Sequence, residues 1–269
     1  MELVEALRAH LRKVITFTGA GGKTTLMYRL ARELSSSGRT VVVTTTTKIW
    51  PPGDDQTDRL LIARTPEKIY AALYASLGTE CVVTLATALT EDGKLKGISP
   101  ECVAKLRALD GVDHVLVEGD GSAQKPLTAP LAHEPVIPDC TDLVVSVVGV
   151  DALGRSLGAA NVHRPEVIAE LTGLASGDAI TPEAIAAVMI GERGNVKGKP
   201  PGCKVIPVIN KADNAKAIEH ARKIARCLVD GGAYRIVIAA GAQSDPVREV
   251  ISGSRLTVIE PWSEKRLRG

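Results

Sequence analysis

The 269-residue sequence has few aromatic side chains, which make up 3% of it and include a single phenylalanine. Proteins that bind single-stranded nucleic acid by stacking need exposed aromatic rings, so this composition argues against that class. Neither sign of charge predominates, because the chain has 33 Lys and Arg residues and 31 Asp and Glu residues. The net charge of +2 indicates no broad positive field, and we expect no nucleic-acid partner.

Long hydrophobic runs and paired cysteines are also lacking. Apolar runs such as Leu143–Val150 fall far short of the about 18 residues that a membrane span needs. The N-terminal stretch Met1–Leu7 is acidic and has no apolar segment typical of a signal peptide. The five cysteines form no C-x-x-C pair, which argues against a zinc knuckle or a disulfide framework. We therefore expect a cytoplasmic protein with reduced thiols and no membrane partner, and its oligomeric state stays open.

A glycine-rich turn near the N-terminus is the strongest positive signal. In Val14–Thr25, V-I-T-F-T-G-A-G-G-K-T-T, a β-branched apolar run stops at Gly19 and a helical pattern opens at Lys23. Glycines let backbone amides approach phosphate oxygens closely, and a helix start adds unpaired donors and a positive dipole end. The predicted phosphate-binding residues are Gly19, Ala20, Gly21, Gly22, Lys23, Thr24 and Thr25.

This turn is a shortened form of the full P-loop pattern. The pattern G-x-x-x-x-G-K-[ST] requires glycine where this chain has Phe17. We expect Lys23 to reach the outer phosphates and the Thr24 hydroxyl to ligate Mg²⁺. The alternative is a plain strand-to-helix turn with a solvent-exposed lysine.

Two other predicted strands end in polar residues. The strand Val115–Val117 runs into Glu118 and Asp120, which would hold Mg²⁺ or orient a water molecule for phosphoryl transfer. Because ligands of open α/β sheets bind beyond the carboxyl ends of strands, the threonines and the lysine that follow Val41–Val43 are candidates as well. The predicted metal-binding residues are Thr24, Glu118 and Asp120, the predicted catalytic residues are Lys23, Lys48, Glu118 and Asp120, and Thr45 and Thr46 are candidate substrate contacts.

A tetrapeptide after the strand Lys204–Ile209 resembles the base-recognition element of P-loop GTPases. In Asn210-Lys211-Ala212-Asp213, a fixed carboxylate would accept from the ring N–H and the amine of guanine together. Adenine presents an acceptor there and would leave the charge unpaired. With Ala240 as a backbone contact after a later strand, the predicted base-binding residues are Asn210, Lys211, Asp213 and Ala240, and GTP is favoured over ATP.

Two polar stretches have open interpretations. The proline-rich passage Gln124–Pro135 is either a functional lid or an elaborate surface loop. Its His133 and Glu134 could be ligands or an acid/base pair, although adjacent side chains need not converge. His163 and Arg164 precede a helix, where the arginine could hold an anion or lie on the surface. All four are candidate substrate-loop residues.

Alternating strand and helix patterns along the chain predict the fold. They indicate an α/β protein with a doubly wound, mostly parallel sheet of the P-loop nucleoside triphosphate hydrolase type. We expect one domain over residues 1–269, with an insertion at about 53–108 and a final edge strand at Leu256–Ile259.

Taken in order, these motifs resemble one family: the selenium cofactor biosynthesis proteins of the YqeC type, also described as selenium-dependent molybdenum hydroxylase accessory proteins. The stretches that carry the resemblance are Gly19–Thr25, Val43–Trp50, Val117–Ser122, Lys125–Pro130, His133–Pro138, Gly149–Gly154, His163–Glu166 and Asn210–Asp213. The T-T-T-T-K and H-E-P-V-I-P stretches are more specific than any P-loop.

The resemblance implies a P-loop nucleotide hydrolase that assists the maturation of a selenium-containing molybdenum enzyme. Its partners would be GTP or ATP with Mg²⁺, and a molybdenum hydroxylase client or its pterin cofactor. One alternative is an ATP-dependent ligase or kinase that activates a small acid, because the shortened loop also resembles the G-T-N-G-K-T-T of the muramyl amino-acid ligases. Another is a non-catalytic carrier that binds a molybdopterin-like phosphate in the glycine loop.

Overall fold

A ten-stranded sheet forms the centre of the structure, a computed structural model that describes residues 1–253 and 257–258. The strands are β1 (Val14–Gly19), β2 (Val41–Thr45), β3 (Lys48–Ile49), β4 (Arg59–Ile62), β5 (Val82–Ala86), β6 (Ala88–Leu89), β7 (Leu95–Lys96), β8 (His114–Glu118), β9 (Leu143–Gly149), β10 (Lys204–Asn210), β11 (Arg235–Ala239), β12 (Val247–Ser252) and β13 (Thr257–Val258). The α-helices are α1 (Leu3–Leu7), α2 (Lys23–Ser35), α3 (Pro66–Ser76), α4 (Pro100–Ala108), α5 (Pro165–Thr172), α6 (Pro182–Ile190) and α7 (Ala215–Asp230).

The order of the strands gives the fold its class. Across the main sheet it is β13-β12-β11-β10-β9-β1-β8-β2-β5-β4. The pairings from β11 to β4 are parallel, and only the edge strands β12 and β13 pair antiparallel within this sheet. Strand β1 is central, with β8 on one side and β9 on the other, so the winding direction reverses at β1. This confirms the predicted doubly wound, mostly parallel sheet.

Helices cover both faces of the sheet. Helices α1 and α2 pack on one face, and α3 to α7 contribute to the two clusters on the other. The strands in between are buried on both sides, which is why they read as continuous β-branched runs such as Val41–Val43. On α2 the buried leucines Leu26, Leu30 and Leu34 recur at helical spacing, and each contributes about 1.5–3 kcal/mol by leaving water.

Some elements were not expected from the sequence. The first helix is shorter than its apolar pattern, because Arg8 adopts a left-handed conformation and a 3-10 turn, Ala9–Leu11, follows. Strands β4 and β12 and helix α7 had no counterpart in the sequence-based assignment. The final edge strand is present as β13, and the flanking Leu256 and Ile259 lie outside the described residues.

The segment from about 53 to 108 contributes to two sheets. It adds β4 and β5 to the edge of the main sheet beside β2. It also supplies β6 and β7, which pair with β3 in a separate sheet of three strands, β3-β7-β6. That this segment is an insertion stays a prediction.

Within the described residues, no helix combines the length and the apolar character that crossing a bilayer requires.

Candidate functional site

A cleft of about 950 Å³ opens beyond the carboxyl ends of β1, β2 and β8. This is the point where the sheet reverses its winding, and it is where ligands of such sheets bind. The predicted site residues that line it are Gly21, Gly22, Lys23, Thr24, Thr25, Thr46, Lys48, Glu118, His133, Glu134 and Lys211. Asp120 lies buried behind the glycine turn, within reach of Lys23.

The glycine turn has a shape that side chains would prevent. Gly19, Gly21 and Gly22 all have positive φ angles, and a Cβ atom on Gly21 would lie 2.0 Å from the amide nitrogen of Gly149. The turn therefore packs directly against the end of β9. Only glycine combines this backbone conformation with so close an approach.

Protein groups already bind three amides of this turn. The Gly19 amide donates to Asp120 Oδ2 at 2.8 Å, the Ala20 amide to the Val147 carbonyl at 2.9 Å, and the Gly21 amide to the Lys125 carbonyl at 3.1 Å. These three bonds hold the loop in shape rather than leaving it open to a ligand.

The start of α2 presents the free donors. Within the described residues, no group accepts from the amides of Lys23, Thr24 or Thr25, which form the first turn of the helix. Gly22 at the N-cap has no side chain to satisfy them. Because all four residues line the cleft, the part of the motif that offers free donors to the cleft is the helix start.

A buried cluster of charges lies directly beneath these amides. Lys23 Nζ is 3.1 Å from Asp120 Oδ1 and 3.7 Å from Glu118 Oε1, and it donates to the Gly19 carbonyl at 2.5 Å. Burial acts to lower the pKa of Lys23, but the two carboxylates outweigh it and hold that pKa above its usual value. The lysine is therefore a fully charged ammonium group that is only 2% exposed.

The two carboxylates of the cluster differ. Burial raises the pKa of Asp120 to about 6, although Lys23 and the Gly19 amide act in the opposite direction. Glu118 accepts from the Thr24 hydroxyl at 2.6 Å and faces the cleft. Asp120 thus positions the lysine and the loop, while Glu118 and Thr24 present oxygens to a ligand.

The threonine run after β2 supports Glu118 through its backbone. The Thr45 hydroxyl donates to the Glu118 carbonyl at 2.7 Å, and the Thr46 amide donates to the same oxygen at 3.1 Å. The Thr46 hydroxyl donates to the Val136 carbonyl at 2.8 Å. Thr45 is buried, whereas Thr46 and Lys48 line the cleft.

The donor set at this point fits Mg²⁺ in part. Hydroxyl and carboxylate oxygens are the ligands that this cation prefers, and Thr24 and Glu118 already meet at 2.6 Å. The Lys23 ammonium group provides a cation between the carboxylates. No group of three or more His, Cys, Asp or Glu side chains among the described residues could hold a metal ion alone. Mg²⁺ here would need oxygens of a bound phosphate and water, which is its usual mode in nucleotide sites.

Asn210 connects the predicted base-binding end to the glycine turn. Its Nδ2 donates to the Gly21 carbonyl at 2.9 Å, and its Oδ1 accepts from the Gly241 amide at 2.9 Å. The Ala240 amide donates to the Pro246 carbonyl at 2.8 Å, and Asp213 is exposed. None of Asn210, Asp213 and Ala240 lines the cleft, so of the predicted base-binding residues only Lys211 does.

Lys211 does line the cleft, and its backbone is unusual. Its φ angle is +64°, and its Nζ lies 3.1 Å from Asp151 Oδ2. Ala123 and Gln124, which also line the cleft, have positive φ angles too. Such conformations are uncommon outside glycine and cluster at ligand sites.

The two residues of the His133–Glu134 pair point to different places. Glu134 is buried and forms an ion pair with Arg164, whereas His133 is exposed at the cleft mouth. The Arg164 guanidinium also donates to the Ala129 carbonyl at 3.3 Å, so it ties the proline-rich passage to the start of α5. Burial, with a smaller contribution from Arg164, lowers the pKa of His163. Neither His163 nor Arg164 lines the cleft.

Sequence reasoning missed a group of cleft residues. They are Trp50, Lys94, Lys96, Ser122 and Lys125. For two of them the sequence does contain a signal. Lys94 and Lys96 flank Leu95, which is buried, and alternate residues of a strand share a face, so the two lysines are expected on the same side.

Comparisons with known proteins place the chain in a family. A family model described as "YqeC protein" matches residues 15–166, which is more than half of the chain. A protein of Escherichia coli (strain K12), described as "Uncharacterized protein YqeC", is 34% identical over 198 residues. That match covers 74% of this chain and 75% of the relative.

The chain belongs to the YqeC family. The region matched by the YqeC model contains the glycine turn, the Glu118–Asp120 strand end and the His133–Glu134 passage, and the tetrapeptide Asn210–Asp213 lies beyond it. The predicted family is therefore confirmed, and the roles of the individual site residues stay predictions.

Proposed function

We propose that this chain is a Mg²⁺-dependent nucleoside triphosphatase, with GTP favoured, that assists the maturation of a selenium-dependent molybdenum hydroxylase or its cofactor. The observation that carries the nucleotide part is the buried Lys23–Asp120–Glu118 cluster beneath the free amides of α2. Membership of the YqeC family supports the accessory role, through the resemblance noted from the motifs.

The triphosphate would lie along the helix start. The amides of Lys23, Thr24 and Thr25 would donate to its oxygens, and the positive end of the helix dipole would add to the attraction. The Lys23 ammonium group would turn from the Gly19 carbonyl towards the phosphates. The Mg²⁺ that accompanies the phosphates would then neutralise the carboxylates in place of the lysine, which favours this movement.

Mg²⁺ would be held by Thr24 and Glu118, with Asp120 acting through Lys23 and the loop. The ion would supply charge neutralisation of the phosphate oxygens during transfer. Lys48 faces the same cleft and would contact the terminal phosphate.

Guanine selection would come from Asp213, with Asn210 as the link between base site and phosphate loop. Since Asn210 joins the Gly21 carbonyl to the Gly241 amide, occupancy at one end would be coupled to the shape of the other. Asp213 is exposed and therefore able to meet a base that lies across the side of the cleft.

A second candidate is an ATP-dependent ligase or kinase. The cleft continues past the phosphate loop to Trp50, Lys94 and Lys96. Hydrolysis by water needs no such additional binding surface, whereas a co-substrate does. Phosphate release that depends on an added carboxylate or amine would favour this candidate. A non-catalytic carrier would instead bind phosphates and show no turnover.

Calorimetric titration with GTP and with ATP, each with and without Mg²⁺, tests the proposal. We expect micromolar binding of GTP that requires Mg²⁺ and is lost in Lys23→Ala, while Lys223→Ala on the exposed face of α7 behaves as wild type. Absence of binding by either nucleotide would refute the proposal. A preference for ATP would remove only the guanine assignment.

A further inference from the structure

We propose that the cleft binds a second ligand beside the nucleotide of the function proposed above, on which this inference rests. The ligand would be a small molecule with a flat ring and a phosphate group. Lys96 of the three-stranded sheet would hold the phosphate, Trp50 would stack on the ring, and Lys48 would lie between this phosphate and the terminal phosphate of the nucleotide. These three side chains line the cleft beyond the phosphate loop.

The two lysines are held close together, and the nearby acid Asp92 pairs with Lys94 rather than with either of them. Lys48 and Lys96 are directly opposite partners in the antiparallel pair β3–β7, and both are exposed to the cleft. Like charges in that position repel each other and destabilise the pair. Within the part of the chain that the structure describes, neither lysine has a carboxylate within ion-pair distance. On its other side Lys96 faces Ala88, so β6 offers no acid either.

Trp50 gives the same surface an exposed ring. It is 49% exposed in a chain with few aromatic residues, and Lys94 Nζ lies 5.2 Å from its ring centroid. Lys94 is itself paired with Asp92 at 2.9 Å, so its charge is already balanced. A flat ring that stacks on an exposed indole gains contact area at little cost in side-chain entropy.

The small sheet is fixed rigidly to the main sheet. The opposite partners Ile49 and Leu95 are both buried in the core. The Gly97 amide donates to the Thr47 carbonyl at 2.9 Å, and the Ile98 amide to the Thr45 carbonyl at 2.9 Å. The lysine pair is therefore held by the same segment that anchors Glu118, and its position relative to the phosphate loop is set before any ligand arrives.

The order of the strands decides which part of the nucleotide this surface would meet. The base-binding tetrapeptide follows β10 on one side of β1, and the small sheet follows β2 on the other. A nucleotide with its base towards β10 would direct its terminal phosphate towards β2. The second ligand would then face the terminal phosphate, as a co-substrate of phosphoryl transfer does.

Phenyl phosphate is a suitable probe because it combines a dianionic phosphate with a flat ring. It would be titrated into the full-length protein in saturating GDP and Mg²⁺, which fill the phosphate loop, with ligand-observed NMR as the readout. We expect saturable binding that weakens roughly tenfold in Lys96→Ala, the loss typical of one charge-assisted contact. Lys223→Ala should bind as wild type.

Inorganic phosphate and Trp50→Leu separate the two halves of the site. The Trp50 substitution should weaken phenyl phosphate and leave inorganic phosphate unchanged. Three results would overturn the proposal. They are equal binding of phenyl phosphate by wild type and Lys96→Ala, no saturable binding of phenyl phosphate, and displacement of phenyl phosphate by GDP. Titration of wild type with GDP alone reports separately on the nucleotide function, so failure of one is distinguishable from failure of the other.

Discussion

Strand β1 meets an aspartate at each of its ends, and the two aspartates have opposite properties. At the carboxyl end, Asp120 accepts from the Gly19 amide and pairs with Lys23. At the amino end, Asp142 accepts from the amides of Lys13 and Val14, each at 2.9 Å, and pairs with Arg107 at 2.7 Å. The hydrogen-bonding pattern is similar, and the surroundings are not.

Burial makes the difference. Asp120 and Lys23 are almost completely buried, and burial raises the pKa of Asp120 to about 6. Asp142 and Arg107 are partly exposed; burial raises the pKa of Asp142 as well, but Arg107 and the two amides outweigh it and the pKa lies below its usual value. Asp142 accepts hydrogen bonds from the amides at the start of a strand, whereas Asp120 stabilises the buried charge of Lys23 beside a cleft. An arrangement of the second kind costs folding free energy and is typical of ligand sites.

The largest expected difference between the two ends is in stability. Lys23→Ala would leave two carboxylates in a buried site without a cation, so we expect the free energy of unfolding to fall by about 3–5 kcal/mol at neutral pH. Arg107→Ala breaks a partly exposed pair and should cost about 1 kcal/mol or less. Urea unfolding of both variants measures this, and equal losses would contradict the comparison.

The next difference is in function. Asp120→Asn should lower the turnover of Mg²⁺-nucleotide by about 10–100-fold, because the position of Lys23 and the loop depends on that carboxylate. Asp142→Asn should leave turnover unchanged and reduce stability by about 1–3 kcal/mol, through a weaker bond to Arg107. Steady-state phosphate release and urea unfolding distinguish the two variants. Loss of turnover in Asp142→Asn would show that the two ends are not separate.

The pH dependence of stability should have opposite signs at the two ends. The folded-state pKa of Asp120 is about 6, above its ordinary value of 3.8, so its contribution to stability is present at low pH and is lost as pH rises from about 4 to 6. The pKa of Asp142 is below 3.8, so its contribution is present above that pH and is lost on acidification. Unfolding free energies of wild type and the two Asp→Asn variants, measured from well below the pKa of 3.8 to above the pKa of about 6, test the prediction. Parallel profiles for the two variants would exclude it.

The smallest expected effect lies at the side of the cleft. Asp213 is exposed, so its contact with a base would be weakened by water, and we expect Asp213→Ala to reduce the preference for GTP over ATP about fivefold. Competition between the two nucleotides measures this ratio. A ratio unchanged by the substitution would remove Asp213 from the base site.

Parts of the site that depend on local sequence were predictable. The apolar run, the glycines and the Lys-Thr pair specify β1, the turn and the start of α2 within about a dozen consecutive residues, and the structure has them at those positions. Ser99 followed by Pro100 is likewise a local signal for a helix start, and α4 begins at Pro100. Strands β4 and β12 were missed: no residue of β4 is buried, and β12 pairs antiparallel with both of its neighbours near the end of the sheet.

Long-range pairings were not predictable in the same way. Nothing local indicates that the Gly19–Gly21 amides are bound by protein groups, that Asn210 reaches the Gly21 carbonyl, or that Glu134 pairs with Arg164. The lysine pair Lys48 and Lys96 depends on the register of two strands that are 46 residues apart or more in sequence, which only the pairing itself reveals.

By itself the sequence determined the class of sheet, the glycine turn before α2 and the family, because periodicity, glycine placement and motif order are local properties. The tertiary structure alone decided which amides remain free, which carboxylate is buried with the lysine and which lysines share the cleft. Those outcomes depend on burial and on contacts between residues far apart in the chain, and both exist only once the strands have paired.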